Sequence, residues 1–394
     1  GRFGGGGMNV AAETAPLGMA ITLASLPGVG PRRLRLLCGS DSVPEAFARL
    51  AAGELPPSLL DTGREWPAAL RAVDVEAVGH AARRLGIGHV DFCSPNFPTR
   101  LRADPEAPAV LFYRGRIEVQ EGPTVAIVGT RKATPYGRRV AAAFARELAH
   151  QGVSVVSGLA VGIDGAAHDA VVSSDRLGAR GAPVGVVGSG LDVIYPRQHA
   201  SLWEAVSELG VLLSEAPPGA RPEPWRFPLR NRILAALADV VVVVESATRG
   251  GSLHTVEAAL VRDKTVLAVP GPVTSPVSQG CNALVGAGAV VASSTDDILT
   301  ALGFVTERVG GRGEHAGLSG ADDGSGRARG RSDPLLSEGA EKVLAAVQVE
   351  PLLADELVLS LGMPLLDVVR SLGELEALGL TTREGARWLA GRVA

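Results

Sequence analysis

Aromatic residues are scarce in this 394-residue chain, which has four Trp, three Tyr and eight Phe. Because 46% of the residues are nonetheless hydrophobic, Val, Leu, Ile and Ala must supply most of the buried surface. That composition is typical of a parallel β-sheet covered by helices, in which branched aliphatic strands are buried on both faces. The length is sufficient for two or three domains.

Cysteine is also rare, and the three thiols are isolated from one another. Cys38, Cys93 and Cys281 form no C-x-x-C pair. The sequence therefore gives no support for a zinc site and fits a reducing compartment. We expect neither a metal nor another cofactor.

Long apolar runs and an excess of positive charge are missing as well. No run approaches the ~20 residues that span a bilayer, and the start of the chain lacks the pattern of a signal peptide. We therefore expect a cytoplasmic protein without a membrane partner. With 38 Lys and Arg against 42 Asp and Glu, the net charge is -4. Any nucleic-acid site must be a local basic patch.

The first two of five predicted segments differ in composition. Residues 1–14 begin with a glycine-rich stretch that cannot bury anything, so we expect a flexible stub. Residues 15–88 are predicted to form a helical domain of the helix-hairpin-helix (SAM-like) type, with a turn at Gly28-Val29-Gly30. This turn and the arginines after it suit a DNA phosphate. A small packing module whose turn needs glycine explains the same residues.

Residues 89–303 consist of short aliphatic runs that alternate with helical segments. Uninterrupted Val, Ile and Leu indicate strands that are buried on both faces of a parallel sheet. The predicted fold is α/β, a Rossmann-like, doubly wound and mostly parallel sheet with its binding loops at the carboxyl ends of the strands. The predicted strands are Val125–Val128, Val153–Val156, Val184–Val187, Val211–Leu213, Val240–Val244 and Val266–Val269.

The last two segments contrast sharply. Residues 304–334 are rich in Gly, Arg, Ser and Asp, which predicts a disordered linker. Residues 335–394 show helical spacing of Leu and Val and then two strand-like runs, which predicts a winged helix-turn-helix domain. Its candidate recognition helix, 364–377, has three acidic residues and only Arg370 as a base, so it complements phosphates poorly. Contact with a protein, or plain packing, explains this helix equally well.

The loop after the first predicted strand reads Gly129-Thr130-Arg131-Lys132, and Thr134-Pro135 is typical of a helix start. A helix N-terminus beside two cations predicts an anion site, with phosphate as the anion. The alternative is an Arg131 that forms a salt bridge and holds two loops together.

The most basic and aromatic segment of the chain is Pro224–Leu234. Cations and a ring alternate there, at Arg226, Phe227, Arg230, Asn231 and Arg232. Single-stranded DNA suits such a segment, because phosphates pair with arginine while bases stack on rings, at ~1–3 kcal/mol per base. One or both of Arg230 and Arg232 could instead pair with Glu215 or Glu245.

Two glycine loops complete the predicted site. Gly188-Ser189-Gly190 is followed by Tyr195-Pro196, which blocks a helix, so it is not a dinucleotide-binding fingerprint. Arg197 adds a cation after that loop. Gly250-Gly251-Ser252 leads into a helix that we expect Ser252 to cap, which predicts a phosphate cradle.

The loop Ser157–His168 consists mainly of small residues. We expect Asp164 to be a helix N-cap. We expect His168 to be a buried, hydrogen-bonded histidine and not a general base, because no nucleophile lies at partner spacing.

Taken in order, these motifs resemble the DprA/Smf family. The matching stretches are Val125–Arg131, Ser157–His168, Gly188–Pro196, Phe227–Ile233, Gly250–Thr255 and the glycines and Asn282 within 280–287. The resemblance implies a non-enzymatic protein that binds and protects single-stranded DNA without strong sequence preference. It also implies handover of the strand to the RecA recombinase in transformation or recombination, and homodimers.

Together, the loops and the resemblance predict one DNA-binding site. Its residues are Gly129, Thr130, Arg131, Lys132, Gly188, Gly190, Arg197, Arg226, Phe227, Arg230, Asn231, Arg232, Gly250, Gly251 and Ser252. Arg131, Arg197, Phe227 and Arg230 are the implied DNA contacts, and the glycines would let the strand approach the backbone.

Two other functions fit parts of the sequence. The run Gly250–Glu257 resembles the phosphate loop of LOG-type nucleotide hydrolases, although Leu253 and His254 stand where that pattern has a glycine. A nucleotide N-glycoside hydrolase would use Glu257 or Asp164 as the acid/base. The third hypothesis is an interaction hub that works through the C-terminal domain.

Overall fold

The computed structural model describes residues 14–175, 178–304, 336–349, 354–363, 365–378, 380–384 and 387–390. It divides between Gly310 and Gly311 into two compact units. The predicted stub, 1–14, and the predicted linker, 304–334, lie outside the described residues except at Thr14 and Phe304. Thr14 is buried and begins the first helix.

One mostly parallel sheet forms the centre of the first unit. Its described strands are β1 (Ile87–Asp91), β2 (Val110–Gly115), β3 (Thr124–Gly129), β4 (Ser154–Ser157), β5 (Pro183–Val187), β6 (Val211–Ser214), β7 (Val240–Val244), β8 (Thr265–Ala268) and β9 (Val290–Val291). Their order is β1-β2-β6-β5-β4-β3-β7-β8-β9. Strands β3 to β9 pair in parallel, whereas β2 pairs antiparallel with both β1 and β6. All six predicted strands are confirmed to within one residue at each end.

Helices cover both faces of the sheet. They are α6 (Thr99–Arg102), α7 (Pro135–His150), α8 (Ile163–Asp175), α9 (Ala200–Leu209), α10 (Arg226–Leu237), α11 (Leu253–Leu260), α12 (Gln279–Gly286) and α13 (Thr295–Ala301). The five valines of β7 alternate between two cores. Val240, Val242 and Val244 pack with α7 and α8, and Val241 and Val243 pack with α10 and α11. Burial on both faces is therefore the reason for the unbroken valine run.

The N-terminal region is helical, as predicted. Its helices are α1 (Thr14–Ala24), α2 (Pro31–Cys38), α3 (Val43–Ala51), α4 (Trp66–Ala72) and α5 (Val75–Arg84). Leu17, Leu23 and Leu37 from these helices share one hydrophobic core with Trp203 and Leu212 from the sheet region. The helical region and the sheet thus belong to the same compact unit.

The second unit contains three described helices and a strand pair. They are α14 (Glu338–Val349), α15 (Ala354–Leu361) and α16 (Leu365–Ala377), followed by the antiparallel strands β10 (Thr381–Glu384) and β11 (Arg387–Ala390). Val343, Leu357, Leu372 and Leu375 lie in its core. The order of elements is the predicted one, and the winged-helix assignment stays a prediction.

Among the described residues, we find no helix with the length and apolar character required to cross a membrane.

At Gly79 the backbone of α5 comes into close contact with the backbone of α1. A Cβ on Gly79 would overlap the Thr14 carbonyl. Gly79→Ala should therefore lower the free energy of unfolding by ~1–3 kcal/mol, the usual cost of overpacking. Urea unfolding followed by circular dichroism measures this change.

Gly286→Ala is the matched control for Gly79→Ala. Gly286 ends α12, and a Cβ there would meet no atom within 4 Å. This variant should be unchanged, or more stable by up to ~1 kcal/mol, because alanine favours a helix over glycine. Equal losses in both variants would contradict the packing argument.

His168 is the basis of a second prediction. It is fully buried in α8, and its Nε2 lies 3.2 Å from the Val184 carbonyl, as expected for a buried, hydrogen-bonded histidine. Burial lowers its pKa from 6.5 to about 4. The neutral imidazole therefore contributes up to ~3 kcal/mol of stability above pH 6.5, and this contribution is lost as the pH falls towards 4.

The measurement compares the wild type with His168→Gln, whose amide cannot titrate. The difference in unfolding free energy between the two proteins should shrink as the pH falls from 7 to 4.5. A difference that stays constant over this range would mean that His168 is not held neutral by the fold.

Candidate nucleic-acid interface

The strand order reverses between β3 and β7, and ligands of doubly wound sheets usually bind at the carboxyl ends beside this point. Glu245, the first residue after β7, occupies it here. It is buried and has a φ of 54°. Its carboxylate accepts hydrogen bonds from the Thr134 backbone N, at 2.9 Å, and from Thr134 Oγ1. Its carbonyl accepts one from the Thr130 backbone N at 2.8 Å.

The Glu245 carboxylate occupies the start of α7, where we predicted a phosphate, so that prediction is corrected. Thr134 caps α7 as predicted, since its Oγ1 accepts a hydrogen bond from the Gly137 backbone N at 3.1 Å. The Glu245 side chain lies against Gly137, where a Cβ would overlap it. The anion that satisfies this helix N-terminus is therefore Glu245. Arg131 and Lys132 stay exposed on the adjoining loop.

A cleft with an aromatic wall lies farther along the same edge, and three loops contribute to it. We call it the Phe227 cleft; its lining residues include Arg131, Gly158, Gly188, Tyr195, Phe227 and Arg230. The guanidinium carbon of Arg131 lies 5.1 Å from the centre of the Phe227 ring. The Tyr195 ring centre lies 5.5 Å from that of Phe227, with the planes tilted by 35°. A cation and two rings thus form one continuous surface.

Arg230 forms the floor of the Phe227 cleft and is only 8% exposed. Its Nη1 donates a hydrogen bond to the Val186 carbonyl, and its guanidinium group lies against Gly158, where a Cβ would overlap it. Burial lowers the pKa of Arg230 to about 10, and the Asp164 carboxylate opposes that shift. The guanidinium group of Arg230 is therefore charged at neutral pH and adds positive potential at the floor of the Phe227 cleft.

The prediction that Asp164 is a helix N-cap is wrong. Asp164 lies inside the first turn of α8, and its Oδ2 accepts a hydrogen bond from the Gly158 backbone N at 3.1 Å. Burial raises its pKa, and the charge of Arg230 is the largest effect that opposes the rise. Asp164 thus holds the loop on which Arg230 packs.

Arg232 and Asn231, which follow Arg230 on α10, have protein partners. Both carboxylate oxygens of Glu215 lie 2.6 Å from Arg232 Nη2, and Arg232 Nη1 donates to the Glu106 carbonyl at 2.6 Å. This ion pair is the alternative that the sequence left open for Arg232. Asn231 is buried and donates from Nδ2 to the Gly251 carbonyl at 3.5 Å.

Three of the predicted glycines are required by the packing of their own loops. A Cβ on Gly129 would overlap the Val244 carbonyl. A Cβ on Gly190 would lie 2.6 Å from the Pro217 carbonyl, and one on Gly250 would lie 2.7 Å from Ser246 Oγ. Gly188 is different, because a Cβ there would lie at a van der Waals distance of 3.4 Å from the Phe227 ring.

The predicted phosphate cradle at Gly250-Gly251-Ser252 also needs a correction. Ser252 occupies the N-cap position of α11, but its side chain makes no capping hydrogen bond. It is buried instead, and its Oγ lies 2.9 Å from Ser246 Oγ. Gly251 is exposed and open.

Arg197 lies at the edge of the cleft and is not among the residues that line it. It is exposed, directly follows Pro196 and begins a short 3-10 turn. In the loop after β3, Thr130 Oγ1 accepts a hydrogen bond from the Lys132 backbone N at 3.2 Å. Arg131, Phe227 and Arg230 thus come together as predicted, whereas Arg197 and Lys132 are peripheral cations.

Tyr195 is a site residue that sequence reasoning missed. The sequence predicts only a helix-breaking Tyr-Pro pair there, yet Tyr195 is 41% exposed and its ring lies beside that of Phe227. A tyrosine in a loop at the carboxyl edge, in a chain with three tyrosines, was the available signal.

The residues of the hydrolase hypothesis do not form a pair of catalytic groups in one cleft. Glu257 is largely exposed, and its Oε2 lies 3.3 Å from His254 Nδ1. Asp164 is buried under the Phe227 cleft. Within the described residues, no group of three or more His, Cys, Asp and Glu could hold a metal ion.

Comparisons with known proteins identify the family of this chain. The family model for DNA recombination-mediator protein A matches residues 89–303. DNA processing protein DprA of Bacillus subtilis is 38% identical over 223 residues, 56% of this chain and 73% of the relative. Protein Smf of Escherichia coli is 37% identical over 284 residues, 72% of both chains.

A solved structure shows the same relationship. The X-ray structure of DprA from Streptococcus pneumoniae aligns with a TM-score of 0.62 and 28% identity, over 72% of this chain and 97% of that one. Sequence, family and structure agree over the sheet that carries the Phe227 cleft. The chain therefore belongs to the DNA recombination-mediator protein A family, also called DprA or Smf.

Proposed function

We propose that this chain binds and protects single-stranded DNA in the Phe227 cleft without strong sequence preference. Family membership gives the broader role, DNA processing and recombination. The observation that carries the proposal is the stack of Arg131, Phe227 and Tyr195 at the carboxyl edge of the sheet. A base can stack on these rings while its phosphate lies beside the guanidinium group.

The stack favours a single strand over a duplex and over one particular sequence. Bases in a duplex are stacked on each other, so a protein ring reaches only unstacked bases. Every base has an aromatic face, so stacking discriminates weakly between sequences. The exposed cations Lys132, next to Arg131, and Arg197, next to Pro196, can contact the backbone of the strand beyond the cleft.

Three finer statements belong to the same proposal. We propose that the chain acts in the cytoplasm as a homodimer and passes its strand to the RecA recombinase in transformation or recombination. We propose that the second unit is a winged helix-turn-helix domain. We also propose that the chain is not an enzyme, because Glu257 is exposed on α11 and Asp164 is engaged with Gly158.

The first test separates stacking from charge at the Phe227 cleft. Phe227→Ala should weaken binding of oligo-dT by about 5- to 150-fold, the loss of one stacked base, with an unchanged dependence on salt. Arg131→Ala should weaken binding and lower the slope of log affinity against log salt by about 0.7, because one phosphate contact is lost. Fluorescence anisotropy over a salt series measures both quantities.

Arg146→Ala is the control for Arg131→Ala. Arg146 is also exposed but lies farther along α7 and does not line the cleft. It should leave affinity and slope unchanged. Binding that is insensitive to salt, or equal losses in both arginine variants, would refute the proposal. Release of a base from nucleoside monophosphates that is abolished by Glu257→Gln would favour the hydrolase instead.

A second test concerns Arg232, which the sequence placed among the DNA contacts. Arg232→Ala leaves the Glu215 carboxylate buried without its partner, so we expect a loss of ~3–5 kcal/mol in the free energy of unfolding. Burial already raises the pKa of Glu215, and the charge of Arg232 is the largest effect that opposes the rise. Urea unfolding measures the loss. If Arg232→Ala weakened DNA binding and left stability unchanged, Arg232 would be a DNA contact.

A further inference from the structure

Trp225 is an exposed tryptophan at the start of α10. Trp66 and Trp203 are 3% and 0% exposed, whereas Trp225 is 45% exposed. The guanidinium carbon of Arg226 lies 4.5 Å from its ring centre, and its indole nitrogen donates to Glu223. The ring is thus held in one orientation with a large area open to solvent.

The exposed ring faces a groove between α10 and the N-terminal turn Gly28-Val29-Gly30. We call this the hairpin groove; its lining residues include Gly30, Pro31, Arg32, Leu36, Trp225 and Leu229. The turn is held in place on its own side. Trp66 Nε1 donates to the Pro27 carbonyl at 3.3 Å, and Arg33 Nη1 donates to the Gly28 carbonyl at 2.6 Å.

The hairpin groove is rich in cations that have no carboxylate partner. Within the described residues, no ion pair is formed by Arg32, Arg33, Arg35 or Arg226, and Arg35 lies 3.8 Å over the Phe92 ring. Of the acidic residues around it, Glu215 is paired with Arg232 and Glu106 with Arg262. Glu223, which accepts a hydrogen bond from Trp225, forms no ion pair among the described residues. A polyanion is therefore the complementary partner.

The hairpin groove continues into the Phe227 cleft. Gly188 and Arg230 line both, and a Cβ on Gly188 would lie 3.4 Å from the Phe227 ring and 3.5 Å from the Arg226 carbonyl. Trp225 and Phe227 are two residues apart at the start of α10, so their rings point to different sides of the helix. The start of α10 is thus a ridge with one aromatic surface on each side.

We propose that the hairpin groove is a second segment of the single-strand path, with Trp225 as its stacking platform and Arg32 and Arg33 beside the backbone. A strand held in the Phe227 cleft crosses the start of α10 past Arg226 and lies against the glycine turn. This inference rests on the proposed function, because it extends the same strand. It makes the N-terminal helical region part of the DNA-binding surface.

The length of the oligonucleotide tests the inference. Full-length wild type, Trp225→Ala, Trp225→Phe and the double variant Arg32→Ala/Arg33→Ala are titrated with dT6 and dT20. Affinity for dT20 should fall about fivefold or more in Trp225→Ala and in the double variant, and less in Trp225→Phe, which keeps a ring. Affinity for dT6, which Phe227→Ala should weaken by about 5- to 150-fold, should change less than about twofold in these variants.

Arg64→Ala is the matched control, because Arg64 is exposed in the same helical region and does not line the groove. It should bind both oligonucleotides like the wild type. Thermal unfolding confirms that each variant is folded. In the wild type, binding of dT20 should also quench tryptophan fluorescence, and this quench should be lost in Trp225→Phe.

The possible results separate the two proposals. If the wild type binds neither dT6 nor dT20, the proposed function fails. If dT6 and dT20 bind but the groove variants keep full affinity for dT20, the further inference is overturned while the Phe227 cleft stands. If these variants lose affinity for a 20-base-pair duplex and not for dT20, the groove serves a different nucleic acid and the inference is also overturned.

Discussion

The buried guanidinium group of Arg230 fixes where α10 begins, and both aromatic surfaces depend on that position. Arg230 joins the end of β5, through the Val186 carbonyl, to the loop after β4, through its packing on Gly158. Asp164 supplies the opposite charge that a buried arginine requires, since an unpaired buried charge is strongly destabilising. Phe227 lies one turn before Arg230 on α10, so the position of its ring follows from where Arg230 is held. The cleft is thereby organised before a ligand arrives.

The carboxyl edge of the sheet has a closed part and an open part. The closed part is the reversal between β3 and β7, which Glu245 fills, and the open part is the Phe227 cleft. In a doubly wound sheet the reversal of strand order normally leaves a crevice for a small anionic ligand. Here the chain supplies its own anion, which accepts the free donors of Thr134 and satisfies the start of α7. A nucleotide phosphate would have to displace a carboxylate that is already buried and hydrogen-bonded, which is energetically unfavourable. The open part of the edge, with its rings and exposed cations, is therefore where we propose that a longer ligand binds.

Local sequence was sufficient to predict the six strands β3 to β8, and insufficient to predict the partners of individual charges. The valines of β7 could be predicted because burial on both faces demands an unbroken apolar run whatever lies around it. Strand β1 contains Gly88 and His89, and β9 has two residues, so neither carries that signal. Arg230 and Arg232 look alike in the sequence, yet one lies under the cleft and the other pairs with Glu215. Which carboxylate meets which arginine depends on loops that are distant in the chain, and no spacing rule contains that information.

The Phe227 cleft and the hairpin groove together suggest how a protein of this kind could bind DNA tightly and still release it. Stacking adds ~1–3 kcal/mol for each base and tolerates any sequence. On the proposed path, a strand that engages Phe227 first would bring its neighbouring nucleotides close to Trp225, so the second contact would form at a high effective concentration. The same argument applies in reverse, because a competitor that captures a few nucleotides at one end removes contacts one at a time. The proposed site, made of small, repeated contacts, would therefore be suited to protecting a strand and to yielding it stepwise to another protein.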